Sequence, residues 1–305
     1  MRQIEKLALL QTVEAISALY WRWLAALVAC FPPGFMSLLG RGLGWFVFSV
    51  LRIRRTHTIA ALGRANFSQA ISIARKVYSN LGTSVFELLW MAGRTRSRGS
   101  ASPIGDVQIE GWERVEQAFC CAKGVVIATA HTGNWDLAGC AVAQKLPLTV
   151  ITKHLSWRSL DAFWQDLRAR QGIGLLDAAG SLTHAQRKLD AGESVAFLID
   201  QAPMRHRGVH NGPFLGADAE HDATFAMVAA RCRVPVVVAF PFRRADGHHV
   251  VRVVDILYPP NRPSKTWIRS ATLAAAKHLE AMIREHPEQW LWLHRRWRRL
   301  AHVQS

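Results

Sequence analysis

The residues best suited by type and spacing to do chemistry are His131 and Asp136, in the stretch Val125 to Asp136, VVIATAHTGNWD. An imidazole with one nitrogen held by a carboxylate and the other facing a cleft can act as a general base that takes a proton from a hydroxyl. Along one continuous helix, five residues turn through about 140°, which would send the two side chains apart, so they meet only if the chain bends between them. Thr132-Gly133-Asn134 supplies the bend, because Gly tolerates positive φ and Asn is among the few other residues that do so cheaply. The elements that must position the pair are therefore a buried strand, VVIATA, and a helix opening at Trp135, WDLAGCAVAQKL. Taken alone, H-x4-D is a sparse pattern, and a histidine before a turn is more often a hydrogen-bonded structural residue.

The other elements alternate. Apolar runs predict strands at Gly124 to Ala130, Leu148 to Thr152, Ser194 to Ile199, Pro235 to Pro241 and His249 to Leu257. Helical stretches at 158 to 171, 181 to 190 and 221 to 232 separate them. Near-continuous runs such as VVIATA and VAFLID suit strands covered on both faces. The fold class is thus α/β, a mixed sheet flanked by helices as an α/β sandwich. Residues 56–305 form that domain and residues 1–55 an N-terminal helical, membrane-associating segment.

Within that segment, residues 7 to 31 are strongly apolar but carry Glu14 and Arg22. They read equally as an interfacial helix, with Tyr20, Trp21 and Trp23 at headgroup level, or as a core-packed amphipathic helix. Pro32-Pro33-Gly34 breaks it, and a second apolar segment runs into Arg52, Arg54 and Arg55. No small-residue cleavage site follows, which argues against a removed signal peptide. Residues 64 to 93 are helical by periodicity, with Asn66 and Ser68 as start signals, and 94 to 103 read as a connection.

A formal net charge of +16 demands an anionic partner: a phospholipid surface, an acidic carrier protein, a phosphorylated substrate or nucleic acid. Twelve Trp beside many Arg favour the membrane interface. The charge is scattered and no helix-turn-helix, RNP-like or zinc-finger pattern is present, which argues against nucleic acid. Five cysteines, an odd count without C-x-x-C, suit a reduced cytosolic setting. His206/His210 and His248/His249 lack a converging carboxylate or thiolate set, so no metal is expected.

HTGNWD resembles the H-x4-D/E block of the glycerolipid-type acyltransferases, and in particular the HFGNWE form of the bacterial lipid A biosynthesis acyltransferase family. Thr132 and Asp136 are its two departures. Further segments match in order: Arg170 before a short strand, the block from Asp200-Gln201 through Arg205, Arg207 and Gly208 to Pro213-Phe214-Leu215-Gly216, and HPEQWLWLHRRWRR at 286 to 299. His210-Asn211-Gly212 departs from the family pattern, and His221 receives no role.

The resemblance implies transfer of a fatty acyl group from a thioester to a hydroxyl of a membrane glycolipid, at the cytoplasmic face of a bacterial inner membrane. The donor would be acyl carrier protein, or acyl-CoA. The acceptor would be a lipid A precursor or a related lipid, or else another glycolipid or a lyso-phospholipid. His131 and Asp136 would be catalytic; Gly133, Asn134, Arg170, Asp200, Gln201, Arg205 and Arg207 would bind substrate. Backbone amides near Gly133 and Asn134, or Arg170, would receive the oxyanion. No cofactor is called for, because the thioester is already activated. The competing class is a non-enzymatic basic protein that binds a membrane or nucleic acid and has no requirement for His131.

Overall fold

The computed structural model describes residues 17, 19–95, 107–122, 124–177, 181–203 and 208–297. Its centre is a seven-stranded mixed sheet. The strands are β1 (Gln108–Glu110), β2 (Val126–Thr129), β3 (Leu148–Thr152), β4 (Gly174–Asp177), β5 (Ser194–Leu198), β8 (Val236–Arg243) and β9 (His249–Leu257). Their order across the sheet is β1-β9-β8-β2-β5-β3-β4. Neighbours among β8, β2, β5, β3 and β4 run parallel, while β9 returns antiparallel along β8 and carries β1 at the edge.

The alternation of side chains along β2 and β8 divides the core. Val126, Ala128, Val236 and Val238 face one cluster, and Ile127, Val237 and Ala239 face another. The first face is covered by α8 (Ser181–Asp190), α9 (Thr224–Cys232) and α10 (Lys265–Glu285). The second is covered by α5 (Trp112–Cys120) and α6 (Trp135–Ala143). Burial on both faces is why these strands read as continuous apolar runs in the sequence. α7 (Arg158–Arg170) packs beyond α6, with Leu167 against Leu137 and Cys140.

The predicted strands all form, two with the expected ends and three with an end shifted by one or two residues. The differences lie where pairing is local or short. Residues expected to open a helix at 221 instead end β7 (Ala217–Asp222), which pairs antiparallel with β6 (Val209–Phe214) as a separate hairpin, so that α9 starts only at Thr224. The helix expected over 64 to 93 is α4 (Ala70–Arg94), preceded by a shorter α3 (Arg55–Arg64). Asn66 sits between them at φ 62, in a turn.

At the N-terminus, α1 (Leu19–Ala29) and α2 (Gly34–Trp45) are apolar, and α2 passes into a π-helical turn, Phe46–Leu51. The continuous helix Gly34–Leu51 is long and apolar enough to cross a membrane by length and composition, and 22% of it is buried. Its inner side packs on α4 almost backbone to backbone: a Cβ on Gly40 would lie 2.2 Å from Thr83 Cα. Its outer side leaves Phe35, Leu38, Trp45, Phe46, Val50 and Leu51 exposed, continuing Leu19, Tyr20, Trp23 and Leu27 of α1. Of the stretch 7 to 31, the part before Ser17 lies outside the described residues.

Candidate active site

The site grows from one pair of neighbouring parallel strands. Thr129 at the end of β2 registers with Leu198 at the end of β5, and Ile199 N donates to Thr129 O at 2.9 Å. Two residues beyond each of these partners come His131 and Asp200, which the register carries to the same point past the carboxyl end of the sheet. In open α/β folds this is where ligands bind. His131 Nδ1 meets Asp200 Oδ1 at 2.9 Å, the His131 backbone N donates to Oδ2 at 3.3 Å, and Trp290 Nε1 donates to Oδ2 at 3.0 Å. Asp200 has no exposed surface. Burial alone would raise its carboxyl pKa, but the charge on His131 and these hydrogen bonds outweigh it and hold the group well below the usual carboxylate range. With Nδ1 so engaged, Nε2 is the ring nitrogen left to the cavity that His131 lines.

The expected pairing of His131 with Asp136 is not made. Asp136 accepts from Arg168 Nε at 2.7 Å and from Trp164 Nε1 at 3.0 Å, both on α7. The bend at Thr132-Gly133-Asn134 does form, with Gly133 at φ 52; it sets Trp135, the first residue of α6, 5.0 Å from the His131 ring, while the Asp136 carboxylate that follows is taken by α7. Arg170, expected in the site, lies two residues and about 200° round α7 from Arg168 and pairs instead with Asp166 at 2.8 Å.

The Gly133 amide and the Asn134 side chain, both expected to meet substrate, already have partners. Gly133 N donates to Gln289 O at 2.9 Å. The Asn134 side chain caps α6 by accepting from Leu137 N at 3.3 Å, and donates to Glu87 Oε2 at 2.8 Å. Glu87 also holds Arg243 at 2.7 Å and His249 at 3.1 Å. Burial alone would raise the Glu87 pKa, but the His249 hydrogen bond and the Arg243 charge more than offset it and leave it lowered. A side chain at position 133 would place Cβ 2.8 Å from Phe242 Cα, so the turn lies against β8 with no space for one.

The carboxyl-terminal segment closes the site from above. Thr132 bridges to Trp290, and Leu291 N donates to His131 O at 3.0 Å. The His294 ring stands 4.9 Å from that of His131, and Gln201 Nε2 reaches His294 Nε2 at 3.2 Å. Burial first, then the His131 charge, lowers His294 to about 4, so it is neutral at physiological pH. The Gln201 carbonyl accepts from Arg296, a buried guanidinium that also contacts His221 Nδ1 at 2.8 Å. His131, Asp200 and His294 offer ligand atoms within 4.8 Å of one another, but the Asp200 carboxylate is already committed to His131 and Trp290. Arg205 and Arg207 lie outside the described residues.

His131 opens onto a cavity of about 2230 Å³, beyond the roughly 300–1,000 Å³ of a drug-sized pocket. Its inner lobe runs between the sheet and α5 and α6, lined by Ile127, Val237, Ala239, Leu148, Val251, Ala138, Val142 and Trp112. The apolar lining of this part of the cavity suits an apolar ligand. Its outer lobe is polar, bordered by Arg54, His57, Arg64, Lys153, His154, Gln201, His294 and Arg295. His131 sits between two spaces of opposite character.

Sequence reasoning missed Trp290, His294, Glu87 and Arg168 as parts of this site. One signal was available: Trp164 and Arg168 are spaced i, i+4 and therefore share the face of α7 that meets Asp136.

The model of the bacterial lipid A biosynthesis acyltransferase family matches residues 3–299. A stretch of 104 residues, 34% of this chain, is 30% identical to the phosphatidylinositol mannoside acyltransferase of Mycobacterium tuberculosis (strain CDC 1551 / Oshkosh). The match spans 31% of that relative's length. Among solved structures, the 1-acyl-sn-glycerophosphate acyltransferase PlsC of Thermotoga maritima aligns over 81% of this chain and 97% of its own, with a TM-score of 0.37 and 13% identity.

Proposed function

The chain belongs to the bacterial lipid A biosynthesis acyltransferase family, and from that premise we propose that it moves a fatty acyl group from a thioester to a hydroxyl of a membrane glycolipid. The observation that carries this reading is the placement of His131, with Nδ1 on a buried carboxylate and Nε2 toward a cavity that is apolar on one side and polar on the other. The acyl chain occupies the inner lobe and the sugar headgroup the outer one. The acceptor hydroxyl gives its proton to His131 Nε2 as its oxygen attacks the thioester carbonyl. The resulting tetrahedral oxyanion collapses, the C–S bond breaks, and the imidazolium returns the proton to the departing sulfur. Asp200 stabilises the imidazolium between these steps and fixes the ring tautomer. Asp136 and Arg168 hold α6 against α7 and act on the site only through its walls.

The finer assignments follow the same reading: acyl carrier protein as donor, with acyl-CoA the alternative, and a lipid A precursor or related glycolipid as acceptor. The cytoplasmic face of the inner membrane is the location. The exposed apolar side of α1 and α2 supports docking into one leaflet, and the charge of +16 supports both an acidic carrier and an anionic membrane.

The test is mass spectrometry of total lipids, lipid A included, from cells expressing wild type, His131→Ala or empty vector. A species heavier by one acyl residue, present with wild type alone, is the expected result. Deletion in the native organism with no change in any lipid would refute the reading and leave a non-enzymatic basic membrane-binding protein.

A further inference from the structure

The proposed acyl transfer places a negative charge on the former carbonyl oxygen, and the groups first expected to meet it are committed elsewhere. The Gly133 amide is bonded to Gln289 O, the Asn134 side chain to Glu87, and Arg170 to Asp166. One more side chain stands beside the base. The His294 ring lies 4.9 Å from that of His131, at an interplanar angle of 64°, and lines the same cavity. Rings this close can reach one thioester group together, His131 through the attacking oxygen and His294 through the carbonyl oxygen.

Two consecutive residues past the end of β5 hold the two imidazoles. Asp200 accepts from His131 Nδ1 at 2.9 Å, which leaves His131 Nε2 with a lone pair to take a proton. Gln201 presents its amide NH2 to His294 Nε2 at 3.2 Å. An amide N–H only donates, so His294 Nε2 accepts and the ring proton sits on Nδ1. Among the described residues, His294 Nδ1 has no hydrogen-bond partner. The acid and the amide thus prepare opposite tautomers, one ring ready to accept a proton and the other ready to donate a hydrogen bond. The backbone on each side is fixed as well: Arg296 Nη1 donates to Gln201 O at 3.2 Å, His57 Nε2 to His294 O at 3.0 Å, and Leu291 N to His131 O at 3.0 Å. Charge favours the same arrangement. Burial, and then the His131 charge, lowers His294 to about 4, so it stays neutral when His131 becomes imidazolium. A second cation there would oppose the base as it takes the proton, whereas a neutral N–H stabilises an oxyanion without that repulsion.

We propose that His294 Nδ1–H is the hydrogen-bond donor that holds the thioester oxygen as it becomes an oxyanion, and that Gln201 is the positioning residue that sets its tautomer. As the acceptor oxygen adds to the carbonyl carbon, the C=O electron pair moves onto oxygen and the hydrogen bond from His294 strengthens; the acceptor proton goes to His131, and the His294 proton stays where it is. When the C–S bond breaks, the carbonyl re-forms and that hydrogen bond weakens again. The inference rests on the acyl-transfer reading and adds to it a second group that touches the reacting atoms.

The first half of the experiment needs no substrate. In the full chain, held in neutral detergent micelles with isotope-labelled histidine nitrogens, long-range proton–nitrogen spectra show which nitrogen of each ring carries the proton, and His294→Phe identifies the signal of residue 294. Wild type at neutral pH is expected to carry the His294 proton on Nδ1, and Gln201→Leu to shift it toward Nε2. The second half follows acyl transfer by mass spectrometry from acyl carrier protein thioester to a lipid A precursor or, where that lipid is not acylated, to the lipid extract of the deletion strain. His294→Phe keeps the ring volume and is expected to lower kcat by about 10²–10³ with both KM values little changed. His294→Gln, whose NH2 can point the same way, should recover about tenfold of that loss, and Gln201→Leu should lose about tenfold in kcat.

Four results would overturn the assignment. One is a wild-type His294 with its proton on Nε2. A second is a folded His294→Phe enzyme within threefold of wild type in kcat. A third is a loss confined to KM, which makes His294 a binding contact only. A fourth is a His131 proton that leaves Nδ1 in His294→Phe, which traces the loss to a displaced base. Each of these, with wild-type transfer intact, refutes the His294 donor alone. Absence of transfer by wild type, with an unchanged lipidome in the deletion strain, refutes the acyl-transfer reading beneath it.

Discussion

Replacing Asp200 with Asn removes one charge and almost no volume, and its effect can be worked from the hydrogen bonds around the carboxylate. Three donors converge there: His131 Nδ1 at 2.9 Å, the His131 backbone N at 3.3 Å and Trp290 Nε1 at 3.0 Å. An amide has a single acceptor oxygen, so its NH2 must face either His131 or Trp290. Turned to His131, it forces Nδ1 to accept and puts the ring proton on Nε2, where the substrate proton should go. Turned to Trp290, it sets donor against donor in a site with no water access, and the imidazolium loses its counter-charge. Either way kcat is expected to fall by roughly 10²–10⁴, or about 3–5.5 kcal/mol of barrier, with acceptor KM little changed. Asp136→Asn is the control, because that carboxylate bonds Arg168 and Trp164 and none of the groups of His131. It should lose about 1–3 kcal/mol of stability and, well below its melting midpoint, less than tenfold in kcat. Single-turnover acyl transfer by mass spectrometry, with circular dichroism melts of each variant, decides the matter. An Asp200→Asn enzyme within threefold of wild type, or a folded Asp136→Asn enzyme equally impaired, would refute the His131–Asp200 assignment.

The same packing sets two further outcomes. Gly133→Ala must place a Cβ 2.8 Å from Phe242 Cα at φ 52; it should cost about 1–3 kcal/mol in a thermal melt and reduce transfer by displacing His131. His221 is buried and lowered to about 4, first by burial and then by the Arg296 charge. A histidine whose folded pKa lies below its unfolded value contributes stability above the unfolded value, near 6.5, and loses it as pH falls toward 4. The melting midpoint should therefore drop over that interval, and His221→Asn, whose oxygen can accept from Arg296 without titrating, should flatten the slope; an unchanged slope would remove His221 from the account.

How much of this was legible in the sequence depended on the range of the interaction. The strands at 148–152 and 249–257 and the helix at 181–190 were readable to the residue, because each announces itself by apolar runs or helical period within a few residues. The positive φ of Gly133 was readable for the same reason. The partner of His131 was not, since it is fixed by the register of β2 on β5, 69 residues apart. Asp200 was legible as a polar strand end, while its bond to Nδ1 needed that register. β1 and β4, of three and four residues, are too short to show a period. The hairpin strands VHNGPF and ADAEHD lack apolar alternation and are held by Leu215, Phe214 and α10 instead.

The spacing of H-x4-D nevertheless has a physical meaning in this chain. His131 lies two residues past the end of β2, and Asp136 lies in the first turn of the helix that follows, so the five-residue interval measures the turn between them. A carboxylate in the first turn of α6 complements the positive end of that helix, and Arg168 in the last turn of α7 complements the negative end of its own. The ion pair joining them is favoured by both helices and sets where α6 lies above the sheet. Because Ala138 and Val142 on α6 line the inner lobe, the depth of that lobe, which the proposed mechanism gives to the acyl chain, depends on that pair. Under the proposed mechanism one residue of the motif takes the proton, and the other, bonded to α7, holds the cavity wall in place.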